Sequence, residues 1–176
     1  MQTPEHHAPA ALTEVTLLLS NGTYSTVVTP TGTGFSMYGS YLLTSWQDDP
    51  CEDEYGFTIY VRDPASGAAW TVCGAALADG PDRIVAAGAT GVMIDCRKDA
   101  IESSVRVEVL RDAPVERRRL TLRNRGSAPC ELEVTAYVEI VLNQPEAQEG
   151  HPAFSKLFVQ THFEASPGIL AATRRP

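Results

Sequence analysis

Apolar and polar positions alternate along most of the chain. In Val105-Arg106-Val107-Glu108-Val109 the valines share one face and Arg106 and Glu108 the other, which is the period-two pattern of a strand. The same alternation predicts a strand at Leu120-Thr121-Leu122 and a longer one from Leu132 to Ile140. In the longer one, Leu132, Val134, Ala136, Val138 and Ile140 are expected inward, with Glu131, Glu133, Thr135, Tyr137 and Glu139 outward. One covered face and one wet face describe half-buried antiparallel strands. No stretch of a dozen residues repeats with a helical period, so no helices are predicted.

The turns fit the strands. Asn21-Gly22 lies between Thr16-Leu17-Leu18-Leu19 and Tyr24 to Val28, where both residues are expected to take the positive φ of a type I′ hairpin. Asp63 to Gly67 joins the run Phe57 to Val61 to the run Ala68 to Val72. Arg123 to Pro129 is predicted to close a longer hairpin between the strands on either side of it. Thr31-Gly32-Thr33-Gly34 lacks the third glycine and following helix of a phosphate cradle and reads as a bend in the sheet. Residues 1–11, rich in Pro, His and Ala, form a flexible lead-in, and residues 12–176 form a single domain. The architecture is all-β, a large antiparallel sandwich.

Charge and size narrow the function. At 176 residues the chain can bury about 70% of the surface that its unfolded form exposes. The longest aliphatic run, around Leu17 to Leu19, is far below the ~20 residues of a membrane-spanning helix, so no direct membrane span is expected. Fourteen Lys and Arg against 22 Asp and Glu give a net charge of −8. The one dense basic run, Arg117-Arg118-Arg119, splits between two faces of a strand, so no single basic patch forms and nucleic acid is not expected as a partner. Cys51, Cys73, Cys96 and Cys130 are widely spaced, with neither Cys-x-x-Cys nor a signal peptide, which points to reduced thiols and a cytoplasmic location.

Candidate chemistry is sparse. The acidic loop Asp48 to Glu54 lacks the alternating oxygen ligands of a calcium loop, and His6, His7, His151 and His162 show no zinc spacing, so no metal is expected. No nucleophile motif is present, and no catalytic residue is assigned. Asn21-Gly22-Thr23 is formally a glycosylation sequon whose role as a turn explains it. Tyr38, Tyr41, Trp46, Tyr55, Tyr60 and Trp70 are interleaved with Gln47, Asp48, Asp49, Arg62 and Asp63. Aromatic faces stack on sugar rings, and carboxylates and guanidinium groups bind hydroxyls, so the cluster reads either as aromatics that pack the core and sheets or as a sugar-binding surface with Trp46, Asp48, Asp49, Arg62 and Asp63 as the candidate substrate-binding residues.

Longer blocks are more specific. Leu18 to Thr29, Gly34-Phe35-Ser36, Ser45 to Asp49, Tyr55 to Asp63, Val115 to Asn124, Leu132 to Glu139, His151 to Thr161 and Ala172 to Pro176 follow one another in the order of a known pattern. Together they resemble the opening of family 94 of the glycoside hydrolases, in the phosphorylase-like region of cyclic β-1,2-glucan synthases and the related β-1,2-oligoglucan and cellobiose phosphorylases. The family runs Arg-Trp-Arg-Glu-Asp where this chain has Ser45-Trp46-Gln47-Asp48-Asp49, so two guanidinium donors are absent here.

The resemblance implies an antiparallel super-β-sandwich of the galactose-mutarotase-like type that precedes an (α/α)₆ catalytic barrel. The barrel carries the general acid, and inorganic phosphate is the co-substrate of the parent enzyme, with no other cofactor. The chain is then expected to be a fragment without its barrel and inactive by itself. As partners it would have the barrel, a second copy in a homodimer, and a β-glucan oligosaccharide at the rim of the sugar site; the parent protein could be anchored in the inner membrane. Two other readings are a stand-alone carbohydrate-binding module for β-glucans and a self-contained hydrolase using Asp49.

Overall fold

A computed structural model describes residues 16–45, 56–74, 77, 80–88 and 90–175. The chain runs through β1 (Leu17–Ser20), β2 (Tyr24–Val28), β3 (Ser36–Tyr38), β4 (Tyr41–Thr44), β5 (Thr58–Arg62), β6 (Ala69–Cys73) and β7 (Arg83–Gly88). It continues through β8 (Gly91–Lys98), β9 (Ile101–Val109), β10 (Glu116–Asn124), β11 (Glu133–Tyr137) and β12 (Ile140–Asn143). After these come α1 (Pro145–Gly150), α2 (Pro152–Lys156), β13 (Val159–Glu164) and β14 (Ile169–Arg174). Among the described residues the pairing is antiparallel throughout, in four sheets ordered β1-β2-β3-β4-β12, β10-β9-β8-β7, β11-β5-β6 and β13-β14.

The alternation in β9 places Val105 and Val107 fully inside and Arg106 outside, as its sequence dictates. Their inner face meets Ile59, Val61, Trp70 and Val72 from β5 and β6 and Val28 from β2, with Val92 and Ile94 of β8 completing the core. Each of these buried side chains contributes about 1.5–3 kcal/mol by leaving water. The Thr31 to Gly34 bend forms as expected. Gly34 sits at φ +130, where an added Cβ would lie 1.9 Å from the Val27 carbonyl oxygen, so the close approach of two backbone segments requires glycine there.

Four expectations change. The β1–β2 hairpin turns on Gly22 alone, at φ +91, and Asn21 keeps a negative φ; the sign pattern is that of a II′ turn with Asn21 at its corner. The Asn21 side chain explains the shift. Its Oδ1 accepts from Thr23 N and Tyr24 N, while its Nδ2 donates to the carbonyls of Leu110 (2.7 Å) and Ala113 (2.8 Å) across the sandwich.

Arg123 to Pro129 does not close a hairpin: β10 pairs with β9, whereas β11 pairs with β5, so this loop carries the chain from one sheet to another. The predicted strand 132–140 divides into β11 and the start of β12, with Val134 and Ala136 exposed and Val141, out of phase, the buried residue. β11 is an edge strand with neither face covered among the described residues, and Leu142, at φ +53, breaks the register of β12. Finally, two short helices form where the sequence predicts none. Both begin on proline, whose fixed φ suits the first helical turn, and five or six residues are too few to display a period.

Candidate functional site

Of the five predicted sugar-binding residues, Trp46, Asp48 and Asp49 lie outside the described residues, as does Tyr55. Arg62 ends β5 and Asp63 follows it. Arg62 pairs with Glu133 directly across on β11 (3.0 Å), both more than half exposed, an arrangement worth about 0–1 kcal/mol. Asp63 shapes the β5–β6 turn: its Oδ1 accepts from Ala65 N (2.9 Å) and its Oδ2 from the Ser66 hydroxyl (2.7 Å). The Ser66 and Ala65 bonds hold its carboxyl below the usual range.

Beside this turn lies a pocket of about 330 Å³, bordered by Asp63, Ser66, Trp70, Lys98, Asn124 and Cys130. Trp70 is 2% exposed, and its indole N–H has no acceptor among the described residues. Tyr38 and Tyr41 are exposed cross-strand neighbours on the five-stranded sheet, while Tyr60 is exposed on β5 of another sheet.

A second pocket, about 300 Å³, opens onto a charged cluster that sequence reading did not single out. Arg118 points inward from β10, as the strand period requires, and is 7% exposed. Its Nε donates to Glu116 Oε1 (2.5 Å), its Nη1 donates to the Gly32 carbonyl (3.0 Å), and the guanidinium lies 4.2 Å from the centre of the Phe57 ring. Glu116 Oε2 accepts from the hydroxyls of Ser36 (2.5 Å) and Tyr24 (3.1 Å). The signal was present in the sequence as inward polar residues at i and i+2 of an amphipathic strand, but their partners lie on β2 and β3, about 80 to 90 positions earlier.

The electrostatics of this cluster decide its chemistry. Burial raises the pKa of Glu116, but the Arg118 charge and the Ser36 and Arg118 hydrogen bonds outweigh it, so the carboxyl stays below its ordinary value. Burial pushes the Tyr24 phenol up to about 12. A carboxylate fixed as an anion and a phenol fixed as neutral transfer no proton near pH 7, where a general acid or base must be poised. Cys73 touches Arg118 Nη1 (3.2 Å), yet burial raises its thiol pKa, as it does for Cys96, and a protonated thiol is a poor nucleophile. Cys73, Cys96 and Cys130 are free thiols. Among the described residues no three His, Cys, Asp or Glu side chains converge as a metal site, and no helix is long and apolar enough to cross a membrane.

The outer face of the β7–β10 sheet differs from the sequence-based picture. Arg117 and Arg119 do part from Arg118, as expected, but register joins them to Arg97, Arg106 and Arg123 on one face, so a basic patch exists after all. Cross-strand pairing, which a single run cannot reveal, assembles it.

The pattern described as "Glycosyl hydrolase 94, supersandwich domain" matches residues 3–176. The chain is 32% identical over 160 residues to the cyclic beta-(1,2)-glucan synthase NdvB of Rhizobium meliloti (strain 1021). That similarity covers 90% of this chain and 6% of the relative.

Proposed function

The chain belongs to the glycosyl hydrolase 94 supersandwich family, and from that premise we propose that it is a non-catalytic support domain for a catalytic barrel acting on β-1,2-glucan. One observation carries this reading. Phe154 on α2, Leu157 just after it, and the cross-strand pair Phe163 and Leu170 on β13 and β14 are 61%, 76%, 62% and 79% exposed, apolar surface of the kind that marks an interaction site. The buried carboxylate and phenol, each locked in one protonation state, support a structural role for the polar interior. The parent reaction would then draw its general acid and its phosphate from the barrel.

The test is to mix the chain with a separately produced family 94 barrel. Association is expected, with phosphorolysis of β-1,2-glucan oligosaccharides rising above that of the barrel alone. The double variant Phe163→Ser, Leu170→Ser should weaken association at least about tenfold, since each loses about 1.5–3 kcal/mol of burial, while thermal unfolding of the isolated chain stays within a few degrees. No association by the unaltered chain would remove the proposal.

A second reading, a carbohydrate-binding module, is favoured by the pocket beside Asp63 and Trp70. It requires binding of β-1,2-glucooligosaccharides by the chain, detected as heat on titration, with a binding free energy of about −4 to −8 kcal/mol, corresponding to millimolar to micromolar affinity. No heat at millimolar sugar would exclude it.

A further inference from the structure

Among the described residues β10 is a nine-residue strand at the edge of its sheet, paired with β9 in an unbroken register from Glu116↔Val109 to Asn124↔Ile101. An edge leaves a row of backbone N–H and C=O groups without sheet partners, and natural edges are commonly protected by bulges, prolines or short length. β10 has no proline and no bulge. Its inward Leu120 and Leu122 pack on the core only in part.

Its outward positions are Arg117, Arg119, Thr121 and Arg123. Glu108 takes Arg117 (2.7 Å), and this hydrogen bond, with the arginine charges around it, holds the Glu108 carboxyl below its usual range. Arg119 stands directly opposite Arg106, a like-charge cross-strand pair that disfavours the sheet. Neither Arg119 nor Arg123 has an ion-pair partner among the described residues, and the face holds five arginines against Asp95, Glu102 and Glu108 on a chain whose net charge is −8. Charges placed only to deter pairing need not be all of one sign, nor set against a like charge; both features become favourable once anions cover them.

We propose that the free edge of β10 accepts an extended acidic segment of a partner polypeptide as an added strand, with alternate carboxylates facing Arg117, Arg119 and Arg123. Main-chain bonds along the edge supply affinity, and side-chain pockets and charges at alternate positions supply selectivity. The spacing matches: same-face residues of any strand recur every ~7 Å, so Glu or Asp at every second position meets the arginine row in step. Guanidinium groups suit this role because they grip carboxylates in bidentate fashion.

The probe is a peptide of about seven residues alternating Glu and Val, followed by amide shifts of the whole chain. Shifts are expected along β10 and at the Arg117, Arg119 and Arg123 guanidinium groups, with affinity falling severalfold as salt rises through the range that screens exposed charges. Arg119→Glu should weaken binding at least tenfold and Arg119→Ala less, while Arg175→Glu, beyond the end of β14 on another sheet, leaves it unchanged. The same peptide N-methylated at alternate residues should lose binding, because the edge bonds go. A Lys-Val peptide binding equally well, shifts confined to another face, or a short polyphosphate displacing the acidic peptide would each overturn the proposal.

Discussion

Arg118 and Glu116 show how one residue's position follows from period while its energetics follow from partners. The strand pattern turns both inward, but a buried charge is stable only when paired and hydrogen-bonded, and here Arg118, Ser36 and Tyr24 supply those bonds. Replacing Arg118 with Met should therefore destabilise the chain by about 3–5 kcal/mol in urea unfolding, because Glu116 is left as an unpaired buried anion. Replacing both Arg118 and Glu116 with apolar residues should cost much less.

The pH dependence has a sign on each side. Glu116 titrates lower in the folded chain, so its contribution is present above the ordinary carboxyl value of about 4.3 and is lost as pH falls through the lowered one. Tyr24 titrates higher, so its contribution is present below about 10 and is lost as pH rises toward about 12. Stability measured across pH should show both limbs, and Glu116→Gln should flatten the acid one. In the Arg118→Met variant only the Ser36 and Thr26 hydrogen bonds still oppose burial, so the Glu116 pKa should rise and the acid limb should shrink.

At the scale of elements, local chemistry was legible and pairing was not. Period two located β9, β10 and the β5–β6 hairpin, and Asp63 at the head of its turn was readable as a turn residue. What escaped was long-range. Whether Arg123 to Pro129 folds back or crosses over depends on whether β9 or β11 lies beside β10, and both offer alternating faces. The same limit hid the arginine patch, since its members come from three strands. Of the candidate sugar-binding residues, the sequence indicated the turn at Asp63, but the pocket beside it is completed by Lys98 and Asn124 at the ends of β8 and β10 and by Cys130 from the loop after β10. Asn21 is the clearest test of an element held by one side chain. Asn21→Asp keeps the turn acceptor but turns a double donor into an acceptor facing two carbonyl oxygens, and should cost about 1–3 kcal/mol, read from the urea midpoint at unchanged slope.

Over the whole molecule, the surfaces divide by chemistry. Phe154, Phe163 and Leu170 stand exposed on α2 and the β13–β14 hairpin, while five arginines share the outer face of β7–β10. A chain arranged this way presents separate faces to separate neighbours, so losing one contact should leave the other intact. The double variant at Phe163 and Leu170 is expected to keep its response to the acidic peptide, and Arg119→Glu its association with the barrel.

The corner at Asn21 also bears on how the protein ages. An Asn followed by Gly is prone to deamidation, in which the glycine nitrogen attacks the side-chain amide to form a succinimide. In the folded chain the Gly22 N–H is held by the Ser20 hydroxyl, and both Asn21 amide hydrogens are engaged by carbonyls of a different sheet connection. Ring closure would have to break all of these at once, so the reaction belongs to the unfolded population. Deamidated Asn21 in a stored sample is then a cumulative record of how often the hairpin has opened, and a chain that has suffered it closes less firmly afterwards, so the damage favours its own spread.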